Sequence, residues 1–247
     1  MNASDFHLTS AEIHVWAIWL TAPDEVSNAY RALLGLEEIV RADKFAFENL
    51  KRRYEIAHGA LRLLLARYLE CPPCAVSFKI GPRSKPALKG DSALQFNLSH
   101  SVDLAVFAFA VGCELGVDVE QVREIKEMEN ITSRYFCEAE ASDLSSIARS
   151  EVKKEAFFRC WTRKEAYIKA VGSGLYLPLD QFQVTLLPDD PPAFIHIGKS
   201  TKTAAEWTLH HLELAARYVG AIAHHAPGRS IVFHEPYTPK KFLDEIG

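Results

Sequence analysis

A carboxylate stands in the middle of an apolar helical stripe. Residues 151–171 read as one helix closed by Gly172 and Gly174, and at 3.6 residues per turn Phe158, Trp161, Glu165, Ile168 and Gly172 fall on one side. That side must face a core, where a bare carboxylate is costly. Any fold open to this chain therefore has to bring Glu165 a partner. Lys169, one turn further on, is within reach of an (i, i+4) pair, but such a pair contributes only about 0.2–0.5 kcal/mol on a helix surface. A metal ion or a cationic clamp would hold the charge better.

The rest of the chain can bury that core. It has 247 residues, 48% hydrophobic and 24% charged, enough for one large domain or two small ones. The longest apolar run, Leu104 to Val111, is less than half of the ~20 residues that span a bilayer. The first residues, Met1-Asn-Ala-Ser-Asp-Phe-His, lack the basic and apolar segments of a signal peptide. The expectation is a cytoplasmic protein with no membrane partner. Five cysteines read as reduced thiols. Cys71 and Cys74 have C-x-x-C spacing, but prolines fill the gap and no second pair completes a zinc site, so the pair reads as structural. A net charge of −4 and a pI near 6.2 argue against a general nucleic-acid binder. Any polyanion bound here must meet a local basic cluster.

Glu12 to Leu20 alternates and reads as a first strand, followed by a helical region with Asp24 or Ser27 as cap. From Glu37 to Leu69 the pattern is helical almost throughout. Its polar side carries Arg41, Lys44, Lys51, Arg52, Arg53, Arg62 and Arg67, most of which read as a solvated face. Arg53 stands out because it is placed at the start of a long helix, where free N–H groups already favour an anion. Pro72-Pro73 ends that helix, Ala75 to Ile80 is a short strand, and the turn from Gly81 to Pro86 holds Lys85 in place.

Two strands then carry polar groups on one side. In residues 94–101 Phe96 and Leu98 face one way and Asn97 and Ser99 the other, with His100 and Ser101 at the end. Leu104 to Val111 reads as a buried central strand, and Leu115 to Glu120 as its expected hairpin partner across Gly112-Cys-Glu. In Gly116-Val-Asp118-Val-Glu120 both carboxylates share one face, ~6–7 Å apart, and repel unless a cation lies between them. With Glu165 they make three carboxylates and no thiol, a hard oxygen set that suits magnesium rather than zinc.

Residues 121–134 read as a loop or short helix, and Glu138-Ala-Glu140 opens a helix with an acidic first turn. Strands are expected over 182–187, 193–197, 206–214 and 218–223, and residues 228–247 as a loosely docked tail. Strand, long helix, then strands occurs twice, which suits an N-terminal lobe of residues 1–113, a C-terminal lobe of 114–227 and a cleft between them.

Phe96-Asn-Leu-Ser-His100-Ser, Gly116-Val-Asp118-Val-Glu120 and Trp161-Thr-Arg-Lys164-Glu165-Ala-Tyr-Ile-Lys169, in this order, resemble the signature blocks of the Sfp-type 4′-phosphopantetheinyl transferases. Lys85-Pro86 is similar to a fourth block, and the likeness runs over roughly residues 10–225. The resemblance implies an α+β fold of two pseudo-symmetric lobes, each a small antiparallel sheet packed with a long helix; two lobes in one chain remove the need for a dimer, and a monomer is the expectation. It implies transfer of the phosphopantetheine arm of coenzyme A, bound in the cleft, to a serine of an apo acyl or peptidyl carrier protein, with adenosine 3′,5′-bisphosphate released. Asp118, Glu120 and Glu165 would hold magnesium on the pyrophosphate. Arg53 and His100, helped by Arg41, would grip the 3′-phosphate, while Lys85, Pro86 and Ser99 would line the nucleotide. Lys169 would neutralise the pyrophosphate. Glu165, or Glu140 through water, would take the serine proton. Two positions depart from the pattern: Glu38 stands where the family often has lysine, and Ser84 where glycine precedes the Lys-Pro pair. A magnesium-dependent phosphohydrolase and a non-catalytic coenzyme A or carrier-protein binding module are the competing classes.

Overall fold

A computed structural model describes residues 3–81, 85–172, 174, 177–198 and 200–247, so the Ser84 departure lies outside the described residues. Strand β1 (Glu12–Trp19) leads to α1 (Asp24–Arg31), α2 (Leu36–Ala42) and α3 (Glu48–Tyr68). A small hairpin of β2 (Phe78–Ile80) and β3 (Pro86–Leu88) follows, then a larger one of β4 (Leu94–Ser101) and β5 (Leu104–Val111). Next come β6 (Leu115–Gln121), α4 (Met128–Tyr135), α5 (Glu138–Ser146) and α6 (Ser150–Val171). After them are β7 (Phe182–Val184), β8 (Phe194–Ile197), α7 (Thr201–Ala204), β9 (Trp207–Glu213) and β10 (Tyr218–His225). β11 (Ser230–Tyr237) and α8 (Pro239–Ile246) come last.

The period of two along the strands builds four layers. One sheet has the order β11-β1-β5-β4 and the other β6-β10-β9. Trp16, Ile18, Phe107 and Phe109 face α3 and pack on Ile56, Ala60 and Leu64. Their alternates Ile13, Val15, Val106 and Ala108 face the second sheet and meet Val117, Val119, Leu212 and Ile222. On the far side of that sheet, Val219, Ala221 and Ala223 pack with Ala166, Ile168 and Ala170 of α6. Helix, sheet, sheet and helix thus stack in order, which is why β1 and β5 carry nearly unbroken apolar runs.

Several expectations are corrected. Leu115 to Glu120 does not pair back on β5: Gly112, at a φ of 65°, turns the chain away, and β6 pairs with β10 in the other sheet. Residues 228–247 are no loose tail. β11 lies parallel to β1 and gives that buried strand its second neighbour, so the first sheet is not purely antiparallel. Phe242 and Ile246 of α8 are fully buried, and the Tyr30 hydroxyl donates to Pro239 O at 2.8 Å. The helical run from Glu37 breaks after Ala42, where the Asp43 carboxylate receives Arg31 at 3.0 Å and Lys51 at 2.9 Å. Arg53 consequently stands in the second turn of α3, past the free N–H groups. Neither Asp24 nor Ser27 caps α1; Pro23 holds that position and Ser27 is buried inside the helix. Arg62 is not solvated either: it is buried, with Nε 2.5 Å from Glu38 Oε2 and Nη1 donating to the carbonyls of Pro73 and Val76 at 3.0 Å.

Candidate active site

Gly116 sets the spacing of the site. A Cβ there would stand 2.1 Å from Ala166 O and 2.3 Å from Ala170 N, so β6 lies directly on the backbone of α6. This close approach brings Asp118 beside the helical turn that bears Glu165 and Lys169. Lys169 Nζ is 2.6 Å from Asp118 Oδ1 and 2.9 Å from Ser99 Oγ. Ser99 Oγ in turn donates to Asp118 Oδ1 at 2.8 Å.

The strand β4 reaches this knot by an unusual seam. β6 is an edge strand of its sheet, and its outward N–H groups need partners. Val117 N donates to Asn97 Oδ1 at 2.8 Å, Val119 N to Ser99 Oγ at 3.4 Å and Gln121 N to Ser101 Oγ at 3.2 Å. Side chains at every second residue of β4 therefore replace a ladder between the sheets. Ser99 is buried, and its hydroxyl, engaged by Asp118, Lys169 and Val119 N, positions Asp118.

Asp118 is only 4% exposed, and its Oδ2 has no hydrogen-bond partner among the described residues. Burial pushes its carboxyl above the usual carboxylate range, against the opposing pull of Lys169 and Ser99. Burial also raises Glu165, with the Asp118 charge adding to it and Lys169 opposing it. Glu120 Oε2 accepts from Ser101 Oγ at 2.6 Å and from Arg123 Nη1 at 3.2 Å. The three acids feel one another's charge. As their side chains stand, however, no group of three or more His, Cys, Asp or Glu among the described residues is gathered closely enough to hold a metal. Lys169 engages Asp118, and Ser101 with Arg123 engages Glu120.

Lys85, Pro86, Asn97, Glu165 and Lys169 line a cleft of about 280 Å³ beside this knot. A larger cavity, about 760 Å³, lies around Phe6, Arg67 and Glu70 and holds none of the expected site residues. Lys85 does not simply face the cleft: its Nζ donates to Leu115 O at 2.9 Å and Ala170 O at 3.0 Å, latching β6 to α6. Burial draws its ammonium down to about 8.

The expected cationic side lies on the other face of β4. His100 alternates with Ser99, is exposed, and is within electrostatic reach of His58, Lys169, Glu120 and Arg53. Arg53 Nη2 is 2.6 Å from Asp103 Oδ1. Arg41 is exposed, its guanidinium 5.6 Å from the centre of the Tyr54 ring. His58 stacks on Tyr54 at 4.0 Å, with Nδ1 3.5 Å from Glu38 Oε1. Glu38 also receives Gly35 N at 2.8 Å, so it braces the helices and gives an anion nothing. His58 was not singled out from the sequence; its only signal is a place five residues after Arg53 on one helix.

Glu140 is not in the cleft. It is fully buried, and its Oε2 meets Lys164 Nζ at 2.8 Å and Cys137 N at 2.9 Å. Its Oε1 accepts from Val184 N at 2.8 Å. Lys164 donates further to Leu179 O and Phe182 O, so the pair joins α5, α6 and β7 with no exposure to the cleft or to solvent.

A family model described as the 4′-phosphopantetheinyl transferase superfamily matches residues 114–223. The 4′-phosphopantetheinyl transferase HetI of a Nostoc species is 36% identical over 219 residues, which cover 87% of this chain and 89% of that protein. The chain belongs to the 4′-phosphopantetheinyl transferase family. A putative 4′-phosphopantetheinyl transferase of a Synechocystis species is 31% identical over 81% of this chain and 80% of its own length. The 4′-phosphopantetheinyl transferase Sfp of Bacillus subtilis is 27% identical over 71% of this chain and 77% of its own. The span matched by the family model contains Asp118, Glu120, Glu165 and Lys169, and the β4 block that stitches them in place lies just before it.

Proposed function

We propose that this chain moves 4′-phosphopantetheine from coenzyme A to a serine hydroxyl of an apo acyl or peptidyl carrier protein, releasing adenosine 3′,5′-bisphosphate. The observation that carries this reading is the gathering of Asp118, Glu165 and Lys169 on one face of β4, with Arg53 and His100 toward the other. Membership of the family through nearly the whole length of a relative supports it. In the reaction the serine oxygen forms a bond to phosphorus while the bridging P–O bond of the diphosphate breaks. Such chemistry depends on positioning and charge neutralisation more than on covalent work by the protein.

Arg53 and His100, with Arg41 at the rim, hold the 3′-phosphate in this reading. Pro86 and the Lys85 stem border the nucleotide, and Lys85 keeps one of its N–H donors after the two carbonyls it serves. Lys169 neutralises charge on the diphosphate. Asp118, Glu120 and Glu165 offer hard oxygen donors, and the partnerless Oδ2 of Asp118 suits a dication. Magnesium held by these three would supply Lewis-acid stabilisation of the diphosphate. Of the two carboxylates considered for the serine proton, Glu165 alone borders the cleft. A monomer in the cytoplasm belongs to the same reading. Both half-sites come from one chain, and among the described residues no helix is long and apolar enough to cross a membrane.

The test is to incubate the protein with coenzyme A, magnesium and apo carrier proteins and to weigh the carrier. A mass gain of one phosphopantetheine is expected, and Asp118→Ala should abolish it while the far-UV spectrum is retained. Carriers of unchanged mass across acyl and peptidyl types would overturn the reading. Phosphopantetheine released into water would then identify a hydrolase, and binding without turnover a coenzyme A module.

A further inference from the structure

The buried carboxylate of Asp118 sets an electrostatic requirement. Its carboxylate is 4% exposed, and a charge so placed needs a cation close by. Lys169 meets that need, with Nζ 2.6 Å from Oδ1 and anchored again on Ser99 Oγ at 2.9 Å. An ammonium at this distance competes with a dication for the same carboxylate and repels it strongly at such short range. Glu120 offers no easy relief, because Ser101 and Arg123 already engage it. The Lys169 side chain is nevertheless 29% exposed and lines the cleft. It can therefore reach an anion there without unpacking α6.

We infer that Lys169 is a resident counter-ion of Asp118 which must leave before a divalent cation binds. The diphosphate of coenzyme A loads the metal by drawing Lys169 to itself. The inference rests on the proposed function and adds a binding order to it. The dication and coenzyme A enter as a coupled pair, each strengthening the other, and the metal alone is held weakly. The coupling has to be reciprocal, since the two ligands share one thermodynamic cycle.

Mn2+ serves as the probe, titrated by electron paramagnetic resonance into the full chain with and without coenzyme A and with no carrier protein present. Coenzyme A should tighten Mn2+ about tenfold or more, and Mn2+ should tighten coenzyme A by the same factor. Lys169→Gln, which keeps an N–H donor for Asp118, and Lys169→Met should both bind Mn2+ alone about tenfold more tightly than the natural protein. Both should also show a smaller gain on adding coenzyme A. If Lys169→Met is poorly folded, the glutamine variant carries the comparison. Mn2+ affinity without coenzyme A that is unchanged or weaker in the folded variants overturns the inference and leaves the transferase reading intact. Coupled binding by a protein that modifies no carrier would sink the transferase reading and sustain the coupling.

Discussion

Ser99 Oγ donates to Asp118 Oδ1 at 2.8 Å from a strand that belongs to the other sheet. The same oxygen accepts from Lys169 Nζ and from Val119 N, so one hydroxyl joins β4, β6 and α6. Ser99→Ala removes a donor from a buried carboxylate and an acceptor from a backbone N–H. A loss of about 1–3 kcal/mol in urea unfolding is expected. Carrier modification should fall at least about tenfold, because a mis-set Asp118 weakens stabilisation of the transition state. An active variant of unchanged stability would show that the hydroxyl is dispensable.

Glu140 and Lys164 form an ion pair with no solvent contact. Glu140→Ala or Lys164→Ala should each destabilise the fold by about 3–5 kcal/mol, because each strands a buried charge. Replacing both by Met should recover much of that loss. Specific activity per folded molecule should hold within about twofold, as judged by turnover corrected with a melting curve. A selective collapse of kcat at full stability would return Glu140 to the chemistry.

Burial holds the Lys85 ammonium near about 8 instead of 10.5, with Glu114 and Cys113 opposing the shift. Between those two pH values the unfolded chain keeps a proton that the folded one has released. This residue therefore makes folding more favourable as pH rises through the interval and less favourable below it. Coenzyme A binding follows the opposite sign, since phosphate is held by the charged form. KM for coenzyme A should rise from pH about 8 upward, and Lys85→Gln should flatten that rise. Parallel profiles for the natural protein and the variant would remove Lys85 from the nucleotide site.

Arg53 meets Asp103 at 2.6 Å, and Asp103 also accepts from Thr21 Oγ1 at 3.1 Å. If Arg53 reads the 3′-phosphate, Arg53→Ala raises KM for coenzyme A about tenfold and leaves KM for 3′-dephospho-coenzyme A nearly unchanged. Steady-state kinetics with both substrates decides the matter; equal shifts would mean that the arginine only braces the β4–β5 turn.

Local pattern carried much of the architecture. The strand over 94–101 and the one over 104–111 have the bounds their alternation and apolar run imply, and α6 ends at the glycine whose φ of 66° stops it. Charged residues on helices were less legible. Arg62, Glu140 and Lys164 stand at positions that read alike whether solvated or buried in pairs, because a side chain's partner is not a property of its own segment.

By itself the sequence determined which face of each strand or helix the candidate site residues occupy, since that depends on periods of 2 and 3.6 residues along the chain. Only the tertiary structure decided that β6 leaves its neighbour for β10 and that β11 closes beside β1. It alone decided that Lys169 pairs with Asp118 rather than with Glu165 on its own helix. The reason is physical. Pairings between distant segments are set by competition among buried surfaces and unmatched N–H groups, and that competition exists only once the layers have packed.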